Sequence, residues 1–104
     1  MTAGAFDTHC HLQDPKIRVD FHGVMARARA AGVTGMILCG YDAPSNVDAI
    51  ELSREEPGVY PAVGFHPHEA DSVTEEMLAA LEAQALAPEV VAVGEIGLDF
   101  YRGL

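Results

Sequence analysis

His9 and His11 stand one residue apart, and an extended strand sends alternate side chains to the same face, so both imidazoles point one way while Thr8 and Cys10 point the other. At the end of a buried strand, such a pair offers a divalent cation two nitrogen ligands. Asp7 is expected on their face one step earlier, either orienting a neighbouring ligand through a hydrogen bond or serving as a structural aspartate at the strand start. Farther along, His66 and His68 repeat the spacing, and Glu95 and Asp99 supply carboxylates with Arg102 close behind. Imidazole and carboxylate together suit a divalent ion, whose chemistry is to acidify water and neutralise charge on reacting oxygens. By itself a His-x-His pair is weak; its weight depends on whether the fold brings the other residues to it.

The elements that must do so follow from apolar periodicity and punctuation. After the first strand, residues 13–16 read as loop. Asp20 is placed to cap a helix that runs to about Ala31, where Gly32 stops it, with Phe21, Val24, Met25 and Ala28 on one face. Met36-Ile37-Leu38-Cys39 is a short apolar run between glycines, the pattern of a strand covered on both faces, which favours a parallel sheet flanked by helices. Ser45 and Asn46 offer caps for a second helix through about Glu55, with Val47 and Ile50 as its stripe and Ala49 and Leu52 alongside. A third strand is expected over residues 60–65 despite Pro61. A third helix opens with a capping box between Ser72 and Glu75, carrying Val73, Met77, Leu81 and Ala85. A fourth strand follows over residues 90–93.

Strand ends thus fall near His11, Cys39, Phe65 and Glu95, at intervals of 28, 26 and 30 residues. An eight-unit barrel of some 250 residues averages about 31 per unit, so the chain reads as the N-terminal part of a TIM (β/α)8 barrel, about three and a half units with four parallel strands. Every candidate for chemistry then lies at a strand's carboxyl end, the edge where parallel barrels build their sites. His22, on a helix surface, has no such position and is assigned nothing.

The 104 residues are the size of one domain, 49% hydrophobic and 21% charged, which is a globular composition. A formal charge of −10 repels polyanions at long range and argues against a non-specific nucleic-acid or anionic-membrane binder. It leaves open a nuclease whose metal supplies positive charge locally. Two cysteines are too few for a disulfide framework and are read as reduced. With no basic leader and no apolar run of about 20 residues, the expectation is a soluble cytoplasmic protein with no membrane partner.

Three stretches, Asp7-Thr8-His9-Cys10-His11-Leu12, Gly64-Phe65-His66-Pro67-His68 and Gly94-Glu95-Ile96-Gly97-Leu98-Asp99-Phe100-Tyr101-Arg102, resemble the N-terminal signatures of the TatD family of metal-dependent hydrolases, in the same order and at similar spacing. Phe100 stands where the family often has tyrosine, and Gln13-Asp14 replaces a common single aspartate. The resemblance covers essentially all of residues 1–104, read as one partial barrel domain lacking its C-terminal half. It implies that His9, His11 and Glu95 bind a divalent ion and that Glu95, also the catalytic carboxylate, bridges to a second (Mg2+, Mn2+ or Zn2+). It further implies that His66 contacts a substrate phosphate while His68 faces solvent, that Arg102 meets a phosphate, and that Asp99 holds the loop after the fourth strand or orients a ligand.

The activity so implied is phosphodiester hydrolysis of the deoxyribonuclease type, acting on DNA or another phosphodiester. Two rivals stand beside it: an amidohydrolase-type enzyme cutting C–N or carboxylic ester bonds at a similar centre, and a truncated copy with a structural or interaction role only. The family's remaining ligands and its catalytic aspartate belong to later strands than these. Residues 1–104 alone are therefore expected to be inactive, with open sheet edges that invite self-association.

Overall fold

Residues 4–101 are described by the computed structural model. The apolar run ending at Cys39 becomes strand β2 (Val33–Cys39), hydrogen-bonded on one side to β1 (Ala5–Cys10) and on the other to β3 (Val59–Val63), with β4 (Ala92–Val93) beyond. All pairings are parallel, in the order β1-β2-β3-β4. The connections carry helices α1 (Pro15–Arg18), α2 (Phe21–Ala30), α3 (Ala43–Glu55) and α4 (Glu75–Ala85), with a 3-10 turn at Pro67–Ser72.

Alternation along β2 divides the sheet into two faces. Met36 and Leu38 point toward the helices and join Leu12, Phe21, Met25, Ala49, Leu52 and Val59 in the core. The opposite face carries Ile37 paired with Tyr60, and Gly35 paired with Phe6. There the Phe6 and Tyr60 rings stack with centroids 6.0 Å apart, yet they remain 49% and 41% exposed. Two large aromatics left so open mark the concave side of a sheet that has curled without closing. The radius of gyration, 14.4 Å, exceeds the roughly 13 Å expected of a closed domain of this length.

Several local expectations are corrected. The segment after β1 is not all loop: Asp14 accepts the Lys16 N–H at 2.9 Å and caps α1, with Pro15 as its first residue. Asp20 does precede α2 but makes no side-chain cap, because its carboxylate is taken by Arg27 at 2.8 Å. The cap of α3 is Asp42, which exchanges hydrogen bonds with Ser45 in a capping box; Ser45 and Asn46 lie inside the helix. Its buried face is Ser45, Asn46, Ala49, Ile50 and Leu52, so Val47, about 100° around from Asn46, is exposed. Thr74, not Ser72, caps α4, because Ser72 is spent within the 3-10 turn, donating to the Glu69 carbonyl.

The third strand runs from Val59 and stops at Val63 rather than Phe65. It admits Pro61 because that residue turns its carbonyl, and so the side its N–H would occupy, toward β4, where Val91 donates to it at 3.0 Å and the strand begins only at Ala92.

On the outer surface His22 sits against Glu56 at 2.8 Å and Glu55 at 3.4 Å. The hydrogen bond to Glu56 raises the His22 pKa above its ordinary value and lowers that of Glu56, which Arg29 holds down as well. The His22 contribution to stability is complete below about pH 6.5 and fades as pH rises through its raised folded value. That of Glu56 is complete above about 4.5 and fades as pH falls through its lowered one. The pair therefore helps most between those two limits. An NMR titration should place the His22 midpoint above that of free histidine, and Glu56→Gln should bring it back; a midpoint unmoved by that substitution would break the assignment.

Candidate metal centre

The two ends of the sheet deliver the donors. His9 is the penultimate residue of β1, His11 lies just past the strand, and Glu95 lies two residues past β4. One donor atom from each falls within 4.8 Å of the others. His9 Nε2 lies 2.9 Å and His11 Nε2 3.9 Å from the same oxygen, Glu95 Oε2, and the two imidazole rings stand nearly perpendicular at 5.0 Å. His66 reaches the other oxygen, its Nε2 3.8 Å from Oε1.

Backbone partners fix what each ring can do. His11 Nδ1 lies 2.8 Å from the Cys39 carbonyl, and a carbonyl only accepts, so the proton is on Nδ1 and the Nε2 lone pair faces Glu95. That is the arrangement a metal-ligating histidine needs. In His66 the roles reverse: Nδ1 accepts the His68 N–H at 3.0 Å, so the proton sits on Nε2, aimed into the site as a donor. Two histidines 55 residues apart in the chain are thus held in opposite tautomers, one suited to a cation and one to an anionic oxygen.

Glu95 has the backbone angle φ +56°, unusual for a residue with a side chain and confined among the described non-glycine residues to this position. Its side chain is 15% exposed, and Oε2 is buried without a hydrogen-bond partner, because the close His9 contact is not one. A buried carboxylate oxygen left unsatisfied while two imidazole nitrogens converge on it is what a divalent cation would complete, and the N, N, O donor set fits one. The left-handed backbone costs about 1–2 kcal/mol, whereas glycine gives back roughly 0.5–1 in chain entropy. Glu95→Gly should therefore leave the melting temperature unchanged or slightly raised while removing Mn2+ binding. A large loss of stability would mean that the carboxylate is structural.

Around this group lies a cleft of about 250 Å3, lined by His11, Tyr41, His66, His68, Glu69 and Glu95. Tyr41, which sequence reasoning missed, meets the His11 ring edge-on at 5.3 Å. It follows β2 by two residues, so the carboxyl-end rule that found Glu95 applies to it equally. Burial, and then the charge of Asp42, push its phenol pKa up, so it stays neutral. His68 is exposed at the cleft's edge.

The structure places the other candidates elsewhere. Asp7 accepts the His9 backbone N–H at 3.1 Å. A register irregularity between Asp7 and Cys10 breaks the alternation that would have put Asp7 on the histidines' face, and Asp7 pairs with the helix-facing Met36. Asp99 accepts the Tyr101 N–H at 3.0 Å, and it lines a neighbouring cleft with Pro67, His68, Ala70, Asp71 and Leu98. Arg102 lies outside the described residues. Cys10 and Cys39 are free; burial pushes the Cys10 thiol up to about 12 and raises Cys39, helped there by the Glu95 charge, so both remain protonated at neutral pH.

Known proteins resemble this chain in sequence and in fold. A metal-dependent hydrolase of Bacillus subtilis, YabD, is 38% identical over 96 residues, covering 92% of this chain and 38% of its own length. The 3′-5′ ssDNA/RNA exonuclease TatD of Pantoea vagans is 41% identical over 100 residues, covering 95% and 38%. The chain therefore spans under two-fifths of the curated relatives it matches. The crystal structure of YjjV, a TatD homologue from Escherichia coli, superposes with a TM-score of 0.87 at 32% identity over 97% of this chain and 40% of that one. The four parallel strands are accordingly a curled half-barrel of TIM type. The family model described as TatD related DNase matches residues 6–103, and with the signature stretches folded about one carboxylate, the chain belongs to the TatD family.

Proposed function

We propose that the protein this chain represents hydrolyses phosphodiester bonds in single-stranded nucleic acid, with His9, His11 and Glu95 holding one divalent ion and Glu95 bridging to a second. The observation that carries this reading is the pair of opposite tautomers: His11 offers a lone pair and His66 a proton, both against Glu95. When bound, divalent ions supply charge neutralisation and a more acidic water. His66 donates its Nε2 proton as a hydrogen bond to a non-bridging phosphate oxygen, orienting the substrate beside the carboxylate. Tyr41, neutral and edge-on to His11, lines the cleft beside it. Asp99 steadies the loop after β4 through the Tyr101 amide.

Relatives such as the Pantoea vagans ssDNA/RNA exonuclease support a nucleic-acid substrate, and the ions supply positive charge locally in a chain whose net charge is −10. No helix among the described residues is long and apolar enough to cross a membrane; we assign the action to the cytoplasm, where free thiols and nucleic acid coexist. The test uses this chain joined to the C-terminal half of a related barrel. With Mn2+ it should cleave bis-p-nitrophenyl phosphate and a single-stranded oligonucleotide, and leave lactone and amide panels untouched. Turnover of the lactones or amides alone would move the reading to an amidohydrolase.

A further inference from the structure

We propose that Asn46 is a positioning residue of this site: its buried amide welds the start of α3 to the carboxyl end of β3 and so sets where His66 and Glu95 stand. The α3 cap is already complete through Asp42 and Ser45, which leaves the Asn46 side chain free for another task. It is 0% exposed. Its Nδ2 donates to the Gly64 carbonyl at 3.0 Å, and the Gly64 N–H donates to its Oδ1 at 3.1 Å. A side-chain amide carries the same donor and acceptor as a peptide unit, so Asn46 takes over the hydrogen bonding of the sheet one residue after Val63, where β3 ends.

Two glycines make the fit possible. A Cβ on Gly40 would lie 1.8 Å from Asn46 Oδ1, and one on Gly64 would lie 1.6 Å from the Gly94 carbonyl oxygen. Gly64 is therefore gripped by Asn46 and pressed on Gly94, while the Gly94 N–H donates to the Val63 carbonyl at 2.9 Å. The residue after Gly94 is Glu95, and the second residue after Gly64 is His66, whose own N–H is held by the Tyr41 carbonyl at 3.0 Å. One buried amide thus ties together the backbone segments from which the carboxylate and the donating histidine project. Such supporting contacts set ligand orientation to within fractions of an ångström, and their loss weakens metal affinity by about 10–100-fold.

The effect on metal rests on the metal-site reading above, so the test keeps the two apart. Asn46→Asp keeps the volume and the acceptor but sets a carboxylate oxygen against the Gly64 carbonyl; Leu52→Ala, a deletion in the core-facing side of the same helix, serves as the control for lost stability. In the metal-free 104-residue chain, the 1H–15N signals of Gly64, His66 and Glu95 should shift in Asn46→Asp and hold in Leu52→Ala. By titration calorimetry with Mn2+ alone, affinity should fall about tenfold or more in the first and less than about twofold in the second. Signals that hold still in Asn46→Asp overturn the proposal, as does unchanged affinity in a chain that binds Mn2+. Shifted signals with no Mn2+ binding, even once the unmodified chain is joined to the C-terminal half of a related barrel, overturn the metal reading and support the positioning of His66 and Glu95. Should Asn46→Asp fail to fold, Asn46→Ser, which leaves room for a water at Gly64, takes the same two measurements.

Discussion

Alanine at His9, His11 or Glu95 should weaken Mn2+ binding by about a hundredfold or more, whereas alanine at His22 or His68 should change it less than about twofold. Losing a supporting contact to a metal ligand already costs roughly 10–100-fold, and each of these three residues is a donor in a group that has only three among the described residues. The largest loss is expected at Glu95, because it brings the only charge in the group, and its removal leaves two neutral imidazoles. His22 is occupied by Glu55 and Glu56, and His68 contributes its backbone N–H, which alanine keeps, to orient His66. Calorimetric titration of the five variants makes the comparison directly; equal losses at His22 and His9 would falsify the site. Affinity should also drop on acidification, since protons compete for the imidazole lone pairs that bind metal.

The second large effect concerns closure of the barrel. Residues 1–104 alone should show no phosphodiesterase turnover and should sediment as more than a monomer, while fusion to a related C-terminal half should yield an active monomer. Among the described residues, strands β1 and β4 each have one hydrogen-bonded neighbour, so both present unpaired backbone groups, the usual template for association. The concave face leaves Phe6 and Tyr60 half open, and Val93 at the β4 edge is 53% exposed. Closing eight strands would cover all three. The family resemblance implies further ligands and a base on later strands than these, so metal bound to this chain is expected to be incompletely held. Analytical ultracentrifugation and a bis-p-nitrophenyl phosphate assay on the two proteins decide it. A compact monomer turning over at about 1 per second or faster from residues 1–104 would defeat the expectation and remove the reason to seek a second half.

Much of this architecture was legible in the residues themselves. Three apolar runs after the His-x-His strand, separated by amphipathic segments and punctuated at Gly32 and Pro57-Gly58, dictate alternating strands and helices, because backbone period and side-chain burial must agree locally. The rule that parallel sheets place chemistry at their carboxyl ends singles out His9, His11, His66, His68, Glu95 and Asp99; the fold brings His9, His11 and His66 to Glu95, while His68 stays at the cleft's edge and Asp99 lines the neighbouring cleft. Helix starts were less legible. Asp42, Ser45 and Asn46 are all capping types, and the choice among them depended on which side chain the rest of the fold had already claimed.

What only the tertiary structure decided is set by contacts between residues far apart in the chain. The tautomer of His11 is fixed by a carbonyl 28 residues away, and the end of β3 by an amide 18 residues away. Tyr41 becomes a wall of the cleft because β1 lies beside β2 and turns His11 toward it. The left-handed turn at Glu95 persists because Gly94 is pinned to Val63 and pressed on Gly64. A sequence pattern records which face a residue prefers, but hydrogen-bond direction and backbone strain depend on partners that only the curled sheet brings within reach.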